Sequence, residues 1–323
     1  MGVGGELPLW RLVSRQARAI VPLGGRGEAC PFFCVHSIAG EVASLIPLAQ
    51  ILGTERQIYG IQVPAERLGG NFATSVHAIA EYYADMLTAF RPEGPLLLGG
   101  WSAGSVIALE MAQALQRRGR KVHLLVVFDG ILYNTGAGVS AWNPLYYWYL
   151  AVNLPRWIGD NLGSGWGFRG VADRLKRELK LTVRSIASPG RKAQPGSAVD
   201  AFADTSRWPT EQAAFARSLF DALERYEPKP YGGRVLVYAA KTQPLFHLLQ
   251  VSATWSKIAS EIETVPVDGT HISMMREPRV AALAADLRAR LAALGPVADR
   301  CAEKAAHAPE SVLELNVHRS TPT

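Results

Sequence analysis

PLLLGGWSAGSVIALEMAQALQRRGRKVHLLVVFDG, residues 95–130, is the stretch on which the fold turns. PLLLGGWS (95–102) is a short apolar run of strand length, and AGSVIALEMAQALQRR (103–118) has the length and apolar spacing of a helix, closed by Gly119. KVHLLVVFDG (121–130) is a second strand. A strand, helix, strand unit with short connections returns the chain parallel to itself, so Ser102 and Asp129 should leave one sheet at the same edge. The first connection reads Gly100-Trp101-Ser102-Ala103-Gly104. This is a GxSxG between a strand and a helix, the context in which a serine is thrust out on a tight turn. Side chains two positions before and after the serine would clash there, which is why Gly100 and Gly104 flank it. The turn also sets the Ser102 hydroxyl at a helix N-terminus, where the helix dipole favours developing negative charge.

Working outward, PFFCVHS (31–37) reads as a strand buried on both faces, followed by the turn at Gly40. Residues 41–52 carry helical spacing ending at Gly53, QIYGIQVP (57–64) is another strand, and 75–90 an amphipathic helix with Ser75 as its N-cap. After Gly130 the alternation stops. Residues 131–225 hold aromatic-rich helical stretches such as AWNPLYYWYLAVNLPRW (141–157), then the Ser/Pro/Gly-containing 188–198. Strand patterns resume at 232–241 and 263–269, and a helix over 277–294 ends the pattern. The expected class is α/β: a mostly parallel, doubly wound sheet with a helical lid insertion at about 131–225. The domain spans 19–295, with an N-terminal extension at 1–18 and a polar C-terminal tail at 296–323.

A serine hydroxyl is a weak nucleophile at neutral pH, so a base must take its proton and an acid must orient that base. Asp129, at the end of the strand after the Ser102 helix, is placed to be the acid; its other reading is a carboxylate that caps the following turn. The end of the next strand, AAKTQPLF, offers no carboxylate. With the order Ser, Asp, His, the candidate bases are His247, His271, His307 and His318. His271 is preferred, because Gly269-Thr270-His271 forms a short turn after a strand, whereas His307 and His318 lie in the polar tail and His247 in a leucine-rich stretch. Of the upstream histidines, His36 ends the first strand as a turn anchor, and His77 and His123 are helix and strand residues without a role. Backbone N–H groups of Ala103, next to the serine, and of Ile38, in the turn after the first strand, are the expected oxyanion donors.

The 323-residue chain, 48% hydrophobic and 19% charged, has the composition of a globular protein. It contains no apolar run long enough to span a membrane, and MGVGGELPLWRL lacks the pattern of a secretory signal. Glu6 breaks the myristoylation pattern, and the chain reads as cytoplasmic. Cys30, Cys34 and Cys301 are too few and too irregular for a disulfide framework or a metal site. Between Arg156 and Lys192 nine basic residues face three acidic ones, a +6 segment that is either a solvated face or an attractor for an anionic partner. No basic and aromatic interleaving points to nucleic acid.

FCVHSIAG (33–40), GWSAGS (100–105), VVFDG (126–130) and VDGTHISMM (267–275), with the lead-in IVPL (20–23) and YEPKPY (226–231), resemble the thioesterase domains of nonribosomal peptide and polyketide synthetases and their freestanding relatives. The resemblance covers about residues 19–294 and implies the α/β-hydrolase fold, an acyl–serine intermediate on Ser102, and a triad completed by Asp129 and His271. It also implies a substrate carried on phosphopantetheine by an acyl or peptidyl carrier protein, or as a coenzyme A thioester, with no cofactor or metal of the enzyme's own. Ser37, Ala39 and Ser105 stand where the family commonly has Pro, Gly and Gly. These departures leave the chemistry intact but alter the expected acyl channel. Trp142, Tyr146, Tyr147, Trp148, Trp157 and Trp166 would line that channel or pack the cap. With the family lead-in beginning about 20 residues into the chain, the domain is expected to act in trans or to be a piece of a larger synthase. A carboxylester hydrolase or lipase, an acyltransferase or macrocyclase, and a noncatalytic binder on the same fold are the other readings.

Overall fold

A computed structural model describes residues 19–135, 144–162, 171–172, 175–176, 205, 208–244 and 250–294. Six strands are found among them: β1 (Ile20–Val35), β2 (Arg56–Ile61), β3 (Leu96–Trp101), β4 (Val122–Phe128), β5 (Tyr231–Thr242) and β6 (Ala259–Thr270). They form one mostly parallel sheet in the order β2-β1-β3-β4-β5-β6: Phe32–Val35 of β1 and all later strands pair parallel, whereas the start of β1, Ile20–Gly24, runs antiparallel along β2. Parallel pairing demands crossovers, and helices lie in them: α1 (Ile46–Leu52), α2 (Val76–Phe90), α3 (Ala103–Arg117), α4 (Pro144–Asn161), α5 (Thr210–Arg225) and α6 (Val251–Trp255), with α7 (Arg279–Ala292) following β6.

Alternation along the strands sorts the core into two layers. Phe33, Val35, Leu96, Leu98, Leu125 and Val127 face the layer closed by α2, α3 and α5. Phe32, Cys34, Leu97, Leu124, Val126 and Phe128 face the layer closed by α1 and α7. At the centre of the sheet both faces are covered, which is why β3 and β4 read as continuous apolar runs, while β6 at the edge is largely exposed. This is the doubly wound α/β architecture expected.

Two boundaries differ from the sequence reading. β1 begins at Ile20, eleven residues before PFFCVHS, because the IVPL lead-in also pairs with β2: Ile20 lies beside Ile61 and Val21 beside Gly60. Register shifts around Gly24 and Gly25, both at positive φ, break the period that would have revealed it. The helix expected over 41–52 becomes a 3-10 turn at Ala43–Leu45 followed by α1. Pro47 suits this start, since in a helix's first turn a residue without an N–H forfeits no helical hydrogen bond. Ser75 caps α2 as expected, accepting from Ala78 N–H at 3.3 Å.

The insertion contributes α4 and α5. Asn153, buried on α4, donates to Gln243 O at 2.8 Å and accepts from Gln243 N–H at 2.9 Å, docking α4 beyond the end of β5. The extension 1–18, the tail 296–323, Trp142, Trp166, His247, His307 and His318, and every basic residue of the +6 segment except Arg156 and Lys176, lie outside the described residues.

Candidate active site

Three strands end one residue short of a predicted site residue: β3 at Trp101 before Ser102, β4 at Phe128 before Asp129, and β6 at Thr270 before His271. Trp101 is in register with Phe128, Phe128 with Tyr238, and on the same β5 Thr242 with Thr270, so the three residues emerge from one carboxyl rim. The backbone is strained at two of them. Among the described residues the only non-glycine positions with positive φ are Ser102 (φ 58°) and Asp129 (φ 51°). Each costs on the order of 1–3 kcal/mol and persists only where the surroundings impose it.

The surroundings do impose it. Ser102 N–H donates to Phe128 O at 3.0 Å and Asp129 N–H to Tyr238 O at 2.8 Å, carrying the ladder one step beyond the strands. A methyl group on Gly100 would sit 2.1 Å from Gly104 O, and one on Gly104 would sit 2.2 Å from His36 O. Both glycines are therefore required, the second because α3 is pressed against the end of β1. Ser105, fully buried, donates its hydroxyl to Gly100 O at 2.6 Å and braces the turn from inside. The family departure at this position thus lies behind the elbow.

Asp129 is buried, and both of its carboxylate oxygens are engaged: Oδ1 accepts from Ala240 N–H at 2.9 Å and Oδ2 from His271 Nδ1 at 2.8 Å. A carboxylate oxygen only accepts, so Nδ1 carries a proton, and the tautomer this selects has its lone pair on Nε2, the form a general base needs. The half-buried His271 is also fixed through Trp101, whose indole N–H donates to His271 O at 3.3 Å and whose ring stacks on the imidazole at 5.5 Å. Since Trp101 immediately precedes Ser102, this contact joins the β6 loop to the elbow. Gly269, at φ 104°, and the Ser273 hydroxyl, which accepts from Thr270 N–H at 2.8 Å, shape that loop.

Of the two predicted oxyanion donors, Ala103 opens α3, where an N–H has no partner within the helix. Ile38 sits in a turn whose hydrogen bonds use other groups: Gly40 N–H donates to Ser37 O at 3.1 Å and Ala39 N–H to Ser37 Oγ at 3.4 Å. Ser37 and Ala39, the other two departures, thus belong to this turn. His36, buried at its base, bonds Ser37 O and the Tyr83 hydroxyl, and so anchors the turn as expected. His77, to which no role was given, bonds Glu110 at 2.9 Å and ties α2 to α3. Of the cap aromatics within the described residues, Trp157 is buried, while Tyr147 and Trp148 are 61% and 66% exposed.

Trp101, Gly130, Tyr83 and Ala240 are supports of the site that sequence reasoning passed over, and Ser105, read there as a change to the acyl channel, is another. A methyl on Gly130 would meet Ser105 Cβ at 2.3 Å and Ser102 O at 2.7 Å, so the glycine after Asp129 lets β4 pass beneath the elbow. Its place next to a candidate acid, and the indole inside the GxSxG, were signals open to a reader. The Ala240 N–H has none, being backbone. No His, Cys, Asp and Glu grouping fit for a metal occurs among the described residues, and none of their helices is long and apolar enough to cross a membrane.

Residues 30–135 match the family model described as "Thioesterase domain". The chain is 27% identical to chondramide synthase cmdD of Chondromyces crocatus, over 85% of this chain and 7% of that protein. It is 25% identical to the non-reducing polyketide synthase atnG of Arthrinium sp., over 90% of this chain and 14% of that protein. It spans only a small part of the length of these relatives. Among solved structures it is similar to the NocB thioesterase domain in covalent complex with a fluorophosphonate nocardicin G analogue, with a TM-score of 0.54 and 19% identity, over 85% of this chain and all of that one. The chain is thus similar over residues 30–135 to the thioesterase domain family and over most of its length to parts of peptide and polyketide synthases, and it shares the α/β fold of a solved thioesterase domain.

Proposed function

We propose that the chain is a serine hydrolase that releases an acyl, polyketide or peptidyl chain from a phosphopantetheine thioester, through an ester on Ser102. The observation that carries this reading is the His271 Nδ1 to Asp129 Oδ2 hydrogen bond of 2.8 Å, set on the rim from which the strained Ser102 emerges. In the first half-reaction Ser102 Oγ attacks the thioester carbonyl carbon while His271 Nε2 takes the hydroxyl proton. Asp129 stabilises the imidazolium that results, and the N–H groups of Ile38 and Ala103 receive the oxyanion. When the intermediate collapses, the C–S bond breaks, His271 returns the proton to the departing thiolate, and the acyl group remains on Ser102.

In the second half-reaction water, or a hydroxyl or amine within the chain, gives its proton to His271 and attacks the ester, and Ser102 regains its proton as the product leaves. No cofactor or metal enters either half. The partner is an acyl or peptidyl carrier protein, or a coenzyme A thioester, and the domain is organised over 19–295 with its insertion at 131–225. The synthase relatives support a carrier thioester over a simple ester as substrate.

Incubation with a panel of acyl-carrier thioesters, followed by intact-mass measurement, tests the reading. Wild type should gain the acyl mass and Ser102→Ala should not, with kcat reduced by about 10⁶. Faster turnover of simple esters than of any carrier thioester would instead select the carboxylester hydrolase.

A further inference from the structure

The turn from His36 to Gly40 is held more elaborately than a surface turn requires. Ser37 O accepts two hydrogen bonds, from His36 Nδ1 at 2.5 Å and from Gly40 N–H at 3.1 Å. Gln212, on α5, donates to Ala39 O at 2.9 Å, and Gly40, at φ 79°, leaves its α-carbon face to Phe215 of the same helix. The Ser37 carbonyl and the Ile38 N–H belong to one trans peptide, so they point in opposite directions within one plane. Whatever fixes the carbonyl therefore aims the N–H. That N–H takes no part in the turn's own hydrogen bonds.

His36 is suited to fixing it. Because a carbonyl only accepts, Nδ1 must carry the proton, leaving Nε2 bare. Nε2 lies 2.9 Å from the Tyr83 hydroxyl, which donates to it and so specifies the tautomer. Burial holds the imidazole neutral, with its pKa lowered to about 4. Its ring meets Tyr83 and Phe215 edge-on, at 5.8 and 5.9 Å, in the apolar layer over α2 and α5. A leucine would fill that space without the cost of desolvating an imidazole, so packing alone does not account for the residue.

We infer that His36, with its tautomer set by Tyr83, is the positioning residue of the oxyanion hole, aiming the Ile38 N–H at the carbonyl oxygen of the acyl group on Ser102. The inference rests on Ser102 being the nucleophile. His36 touches no reacting atom; it acts through the Ser37–Ile38 peptide. Gly104, packed against His36 O, sets this peptide next to Ala103 at the start of α3.

Turnover of one acyl-carrier thioester, with kcat and KM separated, is to be measured for wild type, Ser102→Ala, His36→Leu, His36→Asn and Tyr83→Phe, alongside the thermal midpoint of each. The asparagine amide nitrogen falls where Nδ1 does and can still donate to Ser37 O. His36→Leu should lower kcat by about 30-fold to 100-fold, approaching the loss of a whole oxyanion donor, with KM within about threefold. His36→Asn should recover kcat to within about fivefold of wild type, and Tyr83→Phe should lose about fivefold in kcat with KM unchanged. A folded His36→Leu with kcat within twofold of wild type overturns the inference. So does an equal fall in the leucine and asparagine variants, or a KM that rises in step with the loss. If the leucine variant does not fold, Tyr83→Phe decides, and an unaltered kcat there overturns it. Turnover surviving in Ser102→Ala would defeat the nucleophile itself, and the inference with it, and is recorded separately from the His36 variants.

Discussion

The elbow between β3 and α3 and the helix α4 of the insertion both adjoin the carboxyl rim of the sheet, yet they are built on opposite terms. At the elbow Gly100, Gly104 and Gly130 have no room for a methyl group, Ser105 is sealed inside, and Ser102 and Asp129 are held at positive φ. On α4, Tyr147, Trp148, Leu154 and Ile158 leave large apolar surfaces exposed, while Asn153 and Asp160 tie the helix down through Gln243 and Arg279. On the proposed chemistry, the atoms that would meet a reacting carbon are the ones fixed by backbone packing. Surface that can meet a variable chain is left out of the packing. Substitutions at the elbow should therefore act on kcat or on folding, and substitutions on the α4 face on neither.

After the loss of the nucleophile itself, the largest effect is expected from Asp129→Asn. Asparagine can still accept from Ala240 N–H, but its amide nitrogen would then face His271 Nδ1. The imidazole would keep its proton on Nε2, toward Ser102, and could not accept another. A loss of about 10⁴ in kcat is expected, with cooperative unfolding retained. Steady-state kinetics alongside urea melts check it, and a loss of less than about tenfold would show Asp129 to be only the cap of its turn.

Gly130→Ala should come next, and should strike folding. Its new methyl meets Ser105 Cβ at 2.3 Å, Ser105 Oγ at 2.4 Å and Ser102 O at 2.7 Å. A loss of about 3 kcal/mol in urea unfolding is expected, near the upper end for an overpacked core. Ser105→Gly made in the same chain should return part of it, because the two sites share one space. Additive single effects would show that the strand and the elbow yield independently.

These two positions also mark how far sequence carries. Ser102 and Asp129 were legible because each follows a buried apolar strand and parallel strands end at a common rim, while His271 was reached from the chain order and its short turn after the largely exposed β6. Gly130 was readable as a glycine but not as a necessity, since the atoms it spares belong to Ser105, twenty-five positions away and placed only by the β3–β4 register. The Ala240 N–H on Asp129 and the Tyr83 hydroxyl on His36 were hidden for the same reason: their partners are chosen by packing between elements, and a backbone donor has no residue type. The early half of β1 was hidden differently, by register shifts that erase its period. Trp157, grouped with the channel aromatics by composition, proves buried at 2% exposure, because helix spacing turns it inward while Trp148 faces out.

The smallest effect on stability is expected on that outward face. Trp148 and Leu154 are exposed large apolar residues on a helix docked at the rim, so Trp148→Ser and Leu154→Ser should each change unfolding free energy by no more than about 0.5 kcal/mol. If the face meets the acyl chain, its loss is felt only by chains long enough to reach it. Acetyl thioester kinetics should then match wild type, while KM for a long-chain thioester rises by about threefold to tenfold and kcat holds, the signature of lost uniform binding. Because the elbow variants lower kcat for every chain length, chain-length dependence is the quantity that separates the two regions. A long-chain kcat that fell together with the acetyl kcat in Trp148→Ser would place this helix among the parts that hold the catalytic groups, and the contrast between the two regions would fail.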